Sequence, residues 1–299
     1  LLLYLIIPGM AQALTYQTSD LQGTWFRNAL STGDSPEWNR DKLTFGATGL
    51  ATRWWEQAGG YSGRDTVKVT VFGNGEVRIQ SDWENRLFLS PDKNLAVGVG
   101  LDNDGSEPWV NLLLRQGSGY KFSDLVGTWK GLGLIVSEGD GHWETGTLTV
   151  QPTGSSFWSW ENADGLSGTD TGLFKSINDR GEITMPGRPT FLGHMSSNKD
   201  LVVLTGNEDD AMVLYIFLKQ GAVSFSQSDL TGSWVRYHLS TGVWHGWDNS
   251  YFEMGEEQTI CPLSISSDGE VITGTGPFDP FALSSSGKLS YQDVNFRSQ

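Results

Sequence analysis

Four histidines, one cysteine and a surplus of indoles are the residues of this 299-residue chain whose types invite a chemical reading. His142, His194, His238 and His245 have no His, Cys or carboxylate partner at a recognised metal-ligand spacing. Cys261 stands alone, so no intramolecular disulfide can form, and an isolated thiol of this kind reads as a packed or half-exposed side chain rather than a nucleophile. Nucleophile-elbow, phosphate-loop and dinucleotide patterns are absent from the sequence. With no constellation for catalysis, a metal or a cofactor, the chain is expected not to be an enzyme. Two acidic stretches, "LDNDGSEP" with Asp102, Asp104 and Glu107 and "NEDDA" with Glu208, Asp209 and Asp210, are rich enough in oxygen to consider calcium. Neither has the spacing to a bidentate Glu, and solvated hairpin tips account for both.

The aromatics carry more. Thirteen Trp, 14 Phe and 8 Tyr exceed what a small core requires. Trp38, Trp143 and Trp247 recur in "EWNR", "HWET" and "GWDN"; Trp54 and Trp55, then Phe157, Trp158 and Trp160, fall on a later strand, and Trp83 follows. Strand alternation puts Trp158 and Trp160 on one face and Phe157 on the other. The candidate ligand-binding residues are therefore Trp38, Trp54, Trp83, Trp143, Trp158, Trp160 and Trp247. On an inner face such rings fill a barrel or line its pocket; on an outer face they suit stacking on sugars or docking a partner.

The elements that must position these residues come in three copies. "SDLQGTWFR" from Ser19, "SDLVGTWKG" from Ser123 and "SDLTGSWVR" from Ser228 open units 104 and 105 residues apart (Asp20 to Asp124, Asp124 to Asp229), the size of a small domain. In the second copy, candidate strands begin at Thr128, His142, Ser155, Asp170, Glu182, Thr190, Leu201 and Met212, separated by turn stretches such as "ENADG" and "NDRG". A meander of eight strands disposes of its edges by closing. The expected fold is all-β, a tandem series of antiparallel up-and-down eight-stranded β-barrels over 19–121, 123–226 and 228–299. "DVNF" at 293–296 matches the start of a sixth strand, so the third barrel is expected to be truncated. A β-propeller with two four-stranded blades per unit is the alternative, because "SPDKNLAVGV" reads like a blade phrase.

Within "DLxG[TS]W" the Gly permits a tight turn into the first strand, and Trp25, Trp129 and Trp234 point inward to plug the barrel. Arg115 and Lys219, on the last strands of the first two units, are placed to lie over the plugging indoles. In these residues the sequence resembles the calycin superfamily of lipocalins, avidins and fatty-acid-binding proteins. The resemblance implies a Gly-x-Trp at the start of the first strand, a basic residue packed across it from the last, and a ligand held in the barrel. Avidin's biotin-contacting residues have no counterparts here, so biotin binding is not implied.

Composition bounds the setting. With 37% apolar and 18% charged residues and a formal net charge of -15, the chain is globular and acidic, and no run of basic residues recommends nucleic acid or an anionic membrane as partner. "LLLYLIIPGMAQA", residues 1–13, reads as the remnant of a secretory signal, implying a secreted or cell-surface protein, the periplasm included. No segment has the length to span a membrane as a helix. The expected function is a secreted, non-enzymatic protein binding a small apolar molecule or a glycan. The alternative is a structural or surface-adhesive array with solid barrels.

Overall fold

The computed structural model describes residues 15–80, 86–101, 107–138 and 141–221 in full, and Leu2–Gly9, 84–85, 140 and the strands from 232 to 291 as backbone only. Strand β1 (Leu2–Gly9) covers the segment expected as a signal remnant: eight uncharged residues, apolar apart from Gly9, satisfy a strand as readily as an export signal.

Eight strands then close into an antiparallel barrel: β2 (Gly23–Ser31), β3 (Trp38–Phe45), β4 (Leu50–Gln57), β5 (Ser62–Val71), β6 (Glu76–Gln80), β7 (Glu84–Leu89), β8 (Leu95–Leu101) and β9 (Pro108–Arg115). Their period-two patterns set which face is buried. Val67, Val69, Val71, Val77 and Ile79 go inward, while Lys68, Arg78 and Gln80 remain exposed between them. Register closes the ring: Trp25 pairs with Leu43 on one side and with Arg115 on the other.

The second unit follows the same path but does not close as expected. Its strands are β10 (Gly127–Ser137), β11 (Asp140–Val150), β12 (Ser156–Asn162), β13 (Ser167–Thr171), β14 (Ser176–Ile177), β15 (Glu182–Met185), β16 (Arg188–Met195), β17 (Leu201–Glu208) and β18 (Ala211–Lys219). They form one curled sheet ordered β13-β12-β11-β10-β18-β17-β16-β15-β14, whose two ends are the halves of what is a single strand, β5, in the barrel. The break lies at Gly172–Lys175, where Leu173 and Phe174 turn into the core and Phe174 meets Phe217 edge-on at 5.7 Å. Burying those two side chains replaces the missing ladder bonds with apolar contact.

Barrel and sheet pack outer face to outer face. Leu30, Val97, Val110 and Leu112 of the barrel share one cluster with Leu134, Val136, Val203, Leu214 and Ile216 of the sheet. At the centre of this seam, His194 of β16 stacks on Phe26 (4.0 Å, 14°), and its Nδ1 lies 3.3 Å from the Asn28 amide nitrogen. Burial, reinforced by the charges of Arg40 and Lys42, holds the His194 imidazole down at about 3, so it is neutral. Beyond them, β19 (Gly232–Ser240), β20 (Gly246–Met254), β21 (Ile260–Ile265) and β22 (Val271–Thr273) form a third sheet ordered β1-β19-β20-β21-β22. A hairpin of β23 (Phe281–Leu283) and β24 (Leu289–Tyr291) follows.

Candidate functional site

The repeated "SDLxG[TS]W" builds a clamp. Asp20 and Asp124 each fold back to accept a hydrogen bond at 2.9 Å from the backbone N–H three residues before, Gln17 and Lys121. Each also pairs with a lysine from the turn before the next-to-last strand, Lys93 at 2.9 Å and Lys199 at 2.8 Å. Burial would raise both carboxyl groups, but the lysine and the backbone N–H outweigh it and leave them below the usual Asp range. Gly23 (φ 118°) and Gly127 (φ 132°) follow, in backbone conformations that disfavour any side chain. Trp25 and Trp129 then donate their indole N–H to Leu21 and Leu125 carbonyls at 2.7 and 2.8 Å. Arg115 lies 4.6 Å over the first ring and Lys219 5.2 Å over the second, as the resemblance implies. The third "SDL" lies outside the described residues, and Trp234 is placed in β19 by backbone alone.

Above the clamp the two interiors diverge. In the barrel, one row across the inner wall reads Arg27, Asp41, Trp55, Gly63. The same row in the curled sheet reads Gly131, Gly146, Trp160, Gly168. Arg27 donates to Asp41 Oδ2 at 2.6 Å and to Asn111 Oδ1 at 2.7 Å, and the two charged side chains are each only 2% exposed. The other Asp41 oxygen, Oδ1, and the Asn39 Oδ1 beside it are buried and accept no hydrogen bond. In the sheet, Trp158 occupies the room that glycine leaves: a Cβ on Gly131 would stand 2.6 Å from its Cη2, and one on Gly146 2.9 Å. Trp158 is 1% exposed, meets Phe217 edge-on at 5.3 Å and donates to the buried Glu144 at 3.0 Å. Burial raises the Glu144 carboxyl despite bonds from Trp158 and Tyr215.

What the rows share is the indole at their upper end. Trp55 and Trp160 point inward near the rim, half-buried, each packed on the glycine of the neighbouring strand: a Cβ on Gly63 or Gly168 would stand 2.5 Å from the ring. Covering a strand glycine with a cross-strand ring fixes the ring's orientation. A carboxylate stands beside each, Asp65 held by Arg53 and Asp170 accepting from Trp160 Nε1 at 2.9 Å. The Trp55 N–H makes no hydrogen bond among the described residues.

The sequence candidates do not converge on one pocket. Trp158 and Trp160 lie on the inner face, as alternation requires. Trp38 and Trp143 lie on outer faces against the shared seam, and Trp38 donates to Asn207 of the curled sheet at 2.5 Å. Trp54 is on the outer wall and 46% exposed. Trp83 lies outside the described residues, and Trp247 is placed in β20 without its side chain. Of the acidic turns, Asp102 and Asp104 are also outside, and Glu208 is occupied by Arg188 at 2.6 Å and by Tyr215 OH at 3.0 Å. Among the described residues no group of three His, Cys, Asp or Glu could hold a metal, and no helix is long and apolar enough to cross a membrane. Sequence reading missed Trp55, Gly63, Asn39 and Asp41 as one constellation. An arginine two residues after the plugging Trp, where alternation demands an inward side chain, was the available signal.

No protein-family model matches the chain, and no curated protein matches it. Among solved structures it is similar to a protein of unknown function of the DUF3598 family from Nostoc punctiforme, at 11% identity over 70% of this chain and 100% of that one, with a TM-score of 0.25. It is also similar to a putative AttH from Nitrosomonas europaea, at 10% identity over 89% and 96% of the two chains and a TM-score of 0.22. Likenesses at such scores carry no functional weight.

Proposed function

We propose that the chain is a secreted, non-enzymatic binding protein built from tandem units of one calycin-like design, and that the rim of the first barrel takes a sugar. The observation that carries this is the row Asp41, Trp55, Gly63: a half-buried indole whose N–H makes no hydrogen bond among the described residues shares its row with one buried acceptor that lacks a donor, Asp41 Oδ1, and lies one row from another, Asn39 Oδ1. An apolar ring face beside hydroxyl acceptors is what a sugar requires, since its C–H face stacks and its hydroxyls donate. Leaving buried acceptors without donors costs about 1 to 3 kcal/mol each; a hydroxyl-bearing ligand, or water in its absence, would offset that. A small apolar ligand would leave both oxygens unsatisfied and is the weaker occupant. In the second unit the interior is filled by Trp158, Phe174 and Phe217, which favours a structural role for its core, with Trp160 and Asp170 as a lesser sugar edge at its rim.

Calorimetric titration with neutral mono- and disaccharides tests the reading. At least one sugar is expected to bind the wild-type chain and to lose tenfold or more in affinity with Trp55→Ala, and again with Asn39→Leu. Sugars that bind equally to wild type and both variants, or not at all, would refute the rim site.

A further inference from the structure

The outer wall of the barrel carries a second feature, separate from the rim. Lys42, Trp54 and Arg64 stand directly opposite one another on β3, β4 and β5. Adjacent strands lie about 4.8 Å apart, so the Trp54 position has a cation-bearing position on the strand to each side. The next outward row is Thr44, Thr52 and Thr66, all exposed, and the row after it adds Lys68 beside the exposed Leu50. Lys42, Arg64 and Lys68 form no ion pair among the described residues; Lys42 Nζ lies 5.9 Å over the Phe26 ring, at the edge of the seam. The acids described on the same wall are already engaged, Glu56 with Arg40 at 3.0 Å and Glu76 with Arg78 at 2.7 Å.

The fold does not demand these cations. In the curled sheet the row corresponding to Lys42, Trp54 and Arg64 is Thr147, Ser159 and Thr169. A chain of net charge -15 has thus placed on a single wall two cations on the strands beside an exposed indole and a third two rows away, none in an ion pair among the described residues. A locally basic face on an acidic protein attracts polyanions while the rest of the surface repels them, which fixes where such a partner sits.

We propose that this wall binds an acidic polysaccharide, one of its rings stacked on Trp54, its carboxylates or sulfates held by Lys42, Arg64 and Lys68, and its hydroxyls meeting the threonine row. A stacking platform between cations, with hydroxyl partners beneath it, suits a charged sugar chain better than an acidic peptide, which supplies the charge without the ring.

Affinity for polygalacturonate, its fully methyl-esterified form and polyglutamate tests this, with folding of each variant checked by circular dichroism and melting. The wild-type chain is expected to bind polygalacturonate, to release it as salt rises, and to bind the neutral ester at least tenfold more weakly. Arg64→Glu/Lys68→Glu should lose tenfold or more, and Trp54→Ala several-fold. Trp55→Ala should leave this binding intact, so the outer wall and the rim succeed or fail separately. Absence of binding at low salt, equal binding of the ester, or an unaffected double variant would overturn the proposal. Polyglutamate bound as tightly, with no loss in Trp54→Ala, would assign the wall to an acidic protein and overturn it as well.

Discussion

The barrel and the curled sheet share one clamp and differ in what they enclose. Asp, Gly, Trp and a cation from the last strand occupy matching positions in both, with indole-to-carbonyl bonds of 2.7 and 2.8 Å. One row higher, the barrel buries Arg27 and Asp41 where the sheet has Gly131 and Gly146 under Trp158. The clamp therefore belongs to the fold, and the row above it is where the two units can acquire different roles. An apolar filling stabilises by packing, whereas a buried ion pair contributes little net stability and is better read as a feature kept for specificity.

The largest effect expected from that contrast is in the sheet. Trp158→Ala should cost about 3 to 5 kcal/mol in denaturant unfolding, because its ring bridges two glycines that cannot fill the void. Trp160→Ala, at the half-exposed rim, should cost only about 1 kcal/mol. A comparable loss is expected in the barrel when the pair is broken: Asp41→Ala should cost about 3 to 5 kcal/mol by stranding the Arg27 charge. The double change Arg27→Met/Asp41→Leu, which gives the barrel an apolar row like that of the sheet, should fall within about 1 kcal/mol of wild type or exceed it. It should also abolish the sugar response, separating stability from binding.

The seam between the units should respond to acid. The unfolded chain takes up a proton on His194 near its ordinary value of 6.5, the folded one only near 3. The unfolded state therefore binds more protons across that window, so this contribution is complete above pH 6.5 and is lost as pH falls toward 3. The loss should amount to a few kcal/mol. Melting followed across that range should show the slope in wild type, and His194→Gln should flatten it. A modest effect is expected at the clamp. Lys219→Met should cost about 0.5 to 2 kcal/mol. Arg115→Met should cost more, since Arg115 donates to three carbonyls, those of Lys93, Gln22 and Asp20, whereas among the described residues Lys219 donates to that of Asp124 alone.

Much of the clamp was legible in the sequence because it is local and repeated: a few letters fix a turn, a plug and its cation. The eight-stranded barrel was legible for the same reason, since its turns and alternation are written continuously along the chain. The break at Gly172–Lys175 was not, because it depends on Leu173 and Phe174 finding a cavity shaped by distant strands. Nor was the seam, where Trp38 and His194 meet partners more than 160 residues away. The basic wall escaped for a geometric reason: its cations come from three different strands, so no run of basic residues marks it. The rim constellation was half visible, since Trp54 and Trp55 are adjacent in sequence while only strand polarity says which one faces in.

The most direct test of the binding account is an NMR titration of the indole N–H resonances with the sugars named above, assigned through single Trp→Phe variants. The account predicts saturable shifts at Trp55, weaker ones at Trp160, and none at the plugging Trp25 and Trp129 or at the buried Trp158. Unmoved resonances at Trp55 across the series, or shifts confined to Trp38 in the seam, would contradict it.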